Sequence, residues 1–318
     1  MSYWFVDGGG NWRKLLPLLG KDDVIIGSND NINNFFDEFS DASVIRLETP
    51  TSLYGGSVVK NIINAKREYK KYFKDIENEK ICLFGGLKTI TFFSYMKKLS
   101  KSNMIFFVVP DRPDFSFFRQ TDSWFLKSIP MKLIGYSLGI DIGITKLLDK
   151  PMWYLKEKTI PKYGLMKYSD KEPVVEMPDK YKKLLSGKDT LLLLNDLGTL
   201  VHSPHIVSKM ISESVDFDKT IVKNHTRDPE IFGKLNEFDR FPSFVPAEIL
   251  INNHEWKYII SVYISKSMMT DIDTKKLSLY KIFDWKIPVS VQWIGKCDEY
   301  NVKLPKNIEE LEVMLHEE

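Results

Sequence analysis

Ile221-Val-Lys-Asn-His-Thr-Arg-Asp228, Val245-Pro-Ala-Glu248 and Tyr258-Ile-Ile-Ser-Val-Tyr-Ile-Ser-Lys-Ser267 are the stretches on which the fold turns. The first opens as an apolar β-rich run, Thr220–Val222, and breaks into polar residues. The second puts Pro246 in the first turn of a helix, where a missing N–H costs nothing, and Glu248 near the positive helix end. The third is another apolar run that ends in hydroxyls. Polar groups delivered at strand and helix ends within about fifty residues are how an open α/β sheet builds a ligand crevice.

The same alternation extends outward from these stretches. Upstream, Thr190–Leu194 reads as a strand and Ile206–Ser214 as a helix. Between the quoted stretches, Pro229–Phe238 reads as a helix and Trp256–Tyr263 as a strand. Pro288–Ile294 reads as one more strand, and Ile308, Leu311, Met314 and Leu315 give a final amphipathic helix. In the first half, Tyr3–Val6 runs into Asp7-Gly-Gly-Gly10, and Asp23–Ile26 and Ala42–Leu47 follow as strands. Ser57–Phe73 and Thr89–Leu99 read as helices, Lys80–Phe84 and Met104–Val109 as strands. Strands alternating with helices predict parallel sheets with crossover helices. Residues 151–188 carry Pro151, Pro161, Pro173 and Pro178 with little periodicity and read as a connection. The expected organisation is an N-terminal Rossmann-like domain over 1–150, that connection, and a C-terminal Rossmann-like domain over 189–318, with parallel sheets facing a central cleft.

Composition narrows the class. A formal charge of +2 on 318 residues leaves no large nucleic-acid footprint. Cys82 and Cys297 stand far apart, so neither a disulfide framework nor a zinc cluster is expected. No apolar run approaches bilayer-spanning length and the first residues lack a signal-peptide pattern, so a cytoplasmic protein is expected. Lys60, Lys66, Arg67, Lys70, Lys71 and Lys74 form a basic run on a helix. Such a run is a solvated face or, alternatively, a peripheral contact with anionic lipid or glycan.

His225, at the end of its strand with Lys223 and Arg227 beside it, suits a phosphate and can neutralise charge on a departing one. Glu248 suits a ribose diol, as acids do in dinucleotide folds. Ser265 and Ser267, with Lys266 between them, can form a phosphate nest after a strand. Each has a plainer use: a turn-capping His, a helix-start acid, turn serines. Order and spacing raise the set above its parts.

In that order the three stretches resemble those of bacterial sialyltransferases and polysialyltransferases of GT-B fold, which use CMP-sialic acid. Lys223-Asn-His-Thr-Arg227 is similar to their His-Pro motif, Val245-Pro-Ala-Glu248 to their Pro-x-Glu segment, and Ser261–Ser267 to their paired-serine motif. Thr226 replaces the proline and Lys266 splits the serines. The resemblance spans about residues 220–267. It implies a GT-B-like fold, a nucleotide-sugar donor, a glycan acceptor and an inverting transfer with no essential metal or cofactor. It also implies an N-terminal acid as general base; Asp7, before Gly8 and Gly9, and Asp111, after Met104–Val109, are the candidates. Both are equally read as turn formers, and the glycines as a close backbone approach to a ligand. A transferase with another activated donor and a non-catalytic nucleotide- or glycan-binding protein remain alternatives. Asp216-Phe-Asp218, Asp271-Ile-Asp273, His202 and His205 superficially resemble metal-binding patterns but lack a ligand cluster around them.

Overall fold

The computed structural model describes residues 1–7, 12–48, 58–84, 90–110, 163–169, 171–195, 197–225 and 233–316. The chain divides into two compact units, Met1–Val174 and Val175–Glu318. Each holds one six-stranded sheet in which every strand pair is parallel.

In the first unit the strands are β1 (Ser2–Val6), β2 (Val24–Gly27), β3 (Ser43–Val44), β4 (Lys80–Phe84), β5 (Met104–Pro110) and β6 (Tyr163–Tyr168). Their spatial order is β3-β2-β1-β4-β5-β6. The chain therefore grows outward from β1 in one direction, then returns to the other side of β1. That is the doubly wound order, with its switch point between β1 and β4. Helix α1 (Asp30–Phe39) follows β2 and is capped by Asn29, whose side chain accepts from Ile32 N at 3.1 Å. Its spacing puts Ile32, Phe35 and Phe36 on the buried face. Gly27 is required where β2 meets α1: a Cβ there would collide with Asn33 and Ile32, and its N–H donates to Asn33 Oδ1 at 2.9 Å. Helices α2 (Val58–Glu68), continued by a π-turn over Tyr69–Phe73, and α3 (Ile90–Leu99) cover the sheet. The core is aromatic: Phe5 meets Phe73, Phe92 and Tyr95 with centroids 5.2–6.5 Å apart.

The segment read as a connection contributes structure to both units. Residues 163–168 form β6, the edge of the first sheet, and Asp179–Leu185 form helix α4. The strand escapes a periodicity search because its hydrophobicity does not follow its burial: the apolar Leu165 lies on the exposed side with Lys167, while Tyr168 is buried. Gly164 lies directly opposite Phe106, whose ring occupies the space a Cβ would need.

In the second unit the strands are β7 (Thr190–Asn195), β8 (Thr220–Asn224), β9 (Asp239–Phe241), β10 (Tyr258–Ser261), β11 (Lys275–Ser278) and β12 (Val302–Lys303). The order β12-β11-β10-β7-β8-β9 repeats the first sheet's winding, with the switch point between β7 and β10. The helices are α5 (Leu197–Leu200), α6 (Pro204–Ser214), α7 (Ala247–Asn253), α8 (Val291–Glu299) and α9 (Ile308–His316). Here the core is aliphatic, built on Leu192, Leu194, Val222, Ile260 and Leu277.

Three details depart from the sequence reading. Pro288–Ile294 is not a strand: Pro288 precedes α8, whose first turn forms by Trp293 N and Ile294 N donating to Ser290 O. β9, β11 and β12 carry no apolar run. Lys276 is nevertheless buried in β11, its Nζ donating to Thr270 O at 2.7 Å. The described part of Pro229–Phe238 is a short 3-10 turn, Gly233–Glu237. Among the described residues no helix is long and apolar enough to cross a membrane.

Candidate functional site

In a parallel sheet every strand leaves at the same edge, and the helix that follows begins there. β7, β8 and β10 therefore deliver Asn195, His225 and the segment Val262–Ser267 to one edge of the second sheet. α7 follows β9, so Glu248, in its first turn, starts from that edge too. The three stretches that the sequence singles out thus converge topologically on the carboxyl edge at the β7/β10 switch point, where open α/β sheets bind ligands.

Asn195 holds the switch point together. Its backbone is left-handed, φ 56°, a conformation that Asn tolerates better than most residues. Pairing with β8 runs from Leu193–Lys223 to Asn195–Asn224, an irregularity that re-aims the strand end. Asn195 Oδ1 then accepts from Ser261 Oγ at 2.8 Å and from Tyr263 N at 3.0 Å, across to the end of β10. Beyond it Tyr263 packs edge-on against Tyr280 and Trp285, and its hydroxyl donates to Ile287 O at 2.9 Å.

Lys223 is only 4% exposed. Its Nζ donates to Asn224 O at 2.7 Å and to Ser243 O at 2.9 Å, tying the end of β8 to the loop that leads into α7. Burial pulls its pKa down to about 7, opposed in part by the carboxylate of Glu248. The lysine is thus a tie between two chain segments, and it couples electrostatically to Glu248. His225, the next residue but one, is half-buried. Ser265 caps the 3-10 turn Lys266–Met268, its Oγ accepting from Ser267 N at 3.3 Å; Ser267 is half-buried.

In the first unit Asp7 is buried at the equivalent switch point, its N–H donating to Phe84 O at 2.9 Å. Gly8, Gly9, Asp111 and Arg227 lie outside the described residues. Asp216 has a plain structural use: its Oδ1 accepts from Asp218 N and Lys219 N, closing the turn into β8. His202 is exposed beyond α5, and His205 is exposed in the first turn of α6.

Sequence reading missed Asn195, Ser261 and the Tyr263–Tyr280–Trp285 cluster. An Asn closing the apolar run Thr190–Leu194 was the available signal, because Asn is one of the few residues at home in a left-handed strand end. The aromatic cluster joins residues some twenty positions apart, which no local pattern shows.

No protein-family model matches the chain, and no curated protein matches it. Among solved structures, the spinosyn forosaminyltransferase SpnP is similar with a TM-score of 0.40 and 11% identity, over 98% of this chain and 88% of that one.

Proposed function

We propose that this chain is a glycosyltransferase of GT-B type. In this reading it moves a sugar from a nucleotide-activated donor onto a glycan acceptor, with CMP-sialic acid as the donor. The reaction is a direct displacement with inversion and needs no essential metal. The glycan belongs to a surface polysaccharide or lipooligosaccharide assembled from the cytoplasmic side. One observation carries the reading: His225, Glu248 and the Ser265–Ser267 turn share the carboxyl edge of a doubly wound sheet at its switch point.

The chemistry follows from the groups. The bond from the anomeric carbon to the phosphate breaks, and the electron pair leaves with the CMP phosphate. His225, with the Ser265–Ser267 turn and Arg227, stabilises that charge. Glu248 accepts from the ribose hydroxyls, and the buried Lys223 side chain fixes the loop from which Glu248 starts. The acceptor hydroxyl gives its proton to an aspartate of the first unit, Asp7 or Asp111, as it attacks. Gly8 and Gly9 allow close approach of the backbone to the sugar beside Asp7.

Incubating the protein with CMP-sialic acid and a glycan panel tests this directly. Transfer is expected without added divalent metal. His225→Ala should lower turnover by about 10²-fold or more, with unchanged melting. Transfer from UDP- or GDP-sugars in place of CMP-sialic acid would replace the donor; turnover in His225→Ala equal to wild type would remove the mechanism.

A further inference from the structure

The first unit carries a second surface that the proposed reaction does not use. α2 and its π-turn extension bury Asn61, Ala65, Glu68 and Phe73. On the opposite face Ile63 is 59% exposed. Lys60, Lys66, Arg67, Lys70, Lys71 and Lys74 are all exposed, at positions −3, +3, +4, +7, +8 and +11 from it. Lys60, Lys66 and Arg67 stand one turn from the isoleucine, and Lys70, Lys71 and Lys74 follow on the next turns, so the isoleucine lies within a basic face. Among the described residues, Glu48 lies 3.1 Å from Arg67 and Asp75 lies 3.6 Å from Lys74. The patch also continues onto the end of α3. Lys98 feels the like charges of Lys66 and Lys101, which add to burial in lowering its pKa. Against a formal charge of only +2 for the whole chain, this is strong segregation.

We propose that this face of α2 docks on an anionic lipid bilayer. A basic face that includes an exposed apolar residue fits a bilayer interface: the lysines meet anionic headgroups while their stems and the isoleucine enter the boundary layer. A soluble polyanion would meet the same charges but offer no apolar layer for Ile63. Tyr69 and Tyr72, each with a lysine ammonium 4.6 Å from its ring centroid, suit the same amphipathic boundary.

The test is co-sedimentation of the full chain with vesicles of phosphatidylcholine alone or with about one-third phosphatidylserine. Partition is expected only on the anionic vesicles, falling about tenfold or more when salt rises from about 0.1 M to about 0.5 M. Reversing Lys66, Lys70 and Lys71 together to Glu should reduce partition at least about tenfold. Ile63→Asn should reduce it several-fold on vesicles without changing retention on heparin, a soluble polyanion. All of these side chains are exposed, so melting should match wild type. Absence of wild-type partition, or a charge-reversed variant that partitions like wild type, would overturn the proposal. So would an Ile63→Asn variant indistinguishable from wild type on vesicles, which would make the patch a site for soluble polyanions.

Discussion

The two units wind their six strands in the same order, yet they secure their switch points in different ways. In the first, β1 and β4 stay joined past the strand end by a backbone bond, Asp7 N to Phe84 O, above a core of interlocked aromatic rings. In the second, β7 and β10 share a matching backbone bond, Val262 N to Leu193 O, and are joined further by a side chain: Asn195, in a left-handed conformation, reaches across to Ser261 and Tyr263. Beside it a buried lysine ties β8 to the loop before α7. Both switch points thus share a backbone tie over a packed core, and the second adds the Asn195 and Lys223 side-chain bonds. Polar side chains at a switch point can also shape a ligand crevice, and the proposed donor site draws on those of the second unit.

If packing secures the first unit, its largest mutational effect should come from the ring cluster. Phe5→Ala removes a fully buried side chain that meets three other rings and should cost about 3–5 kcal/mol, read by denaturant unfolding. A loss below about 1 kcal/mol would mean that the cluster repacks easily.

The matching test in the second unit is Asn195. Asn195→Ala leaves Tyr263 N–H without its acceptor and puts alanine at φ 56°, and should cost about 1–3 kcal/mol. Asn195→Gly should recover part of that loss, because glycine relieves the backbone but not the missing acceptor. Equal stability for the two variants would show that the left-handed backbone is not the source of the cost.

Lys223 sharpens the comparison by its pH dependence. Folding lowers its pKa from 10.5 to about 7, so between those values the unfolded chain holds a proton that the folded chain lacks. Stability contributed at this position therefore rises with pH from about 7 toward 10.5, by at most about 1.4 kcal/mol per pH unit. Below about 7 both states are protonated and the contribution is flat. Lys223→Met should remove that rise from the difference between the two stability profiles, measured by urea unfolding at several pH values. Parallel profiles for the two proteins would mean that Lys223 stays charged in its buried position.

Much of this architecture is legible from sequence because long apolar runs bounded by turn residues force strands. Tyr3–Val6, Lys80–Phe84, Met104–Val109, Thr190–Leu194 and Thr220–Lys223 all have a strand on either side and bury most of their side chains. Of the strands that escape sequence reading, β6, β9 and β12 are edge strands and β11 lies beside one. There, one side of the strand is less demanding and lysines can enter, as Lys276 does by burying its stem and bonding Thr270 O. Pro288–Ile294 misleads for the opposite reason, since a short apolar run has no distinctive period and Ser290 can equally begin a helix. At the site, His225, Glu248 and the serines are visible because they follow apolar runs directly. Asn195 is a single polar residue whose meaning depends on a strand 63 residues later, Tyr258–Ser261, and no local pattern carries that pairing.

The most direct test of a donor site at the second switch point is calorimetric titration of the full chain with CMP in metal-free buffer, repeated with Glu248→Ala and Asn195→Ala. The account predicts CMP binding to the wild type, a loss of about tenfold or more in affinity for each variant, and no comparable binding of UDP or GDP. Wild-type CMP affinity in both variants, or no nucleotide binding by the wild type at all, would contradict it.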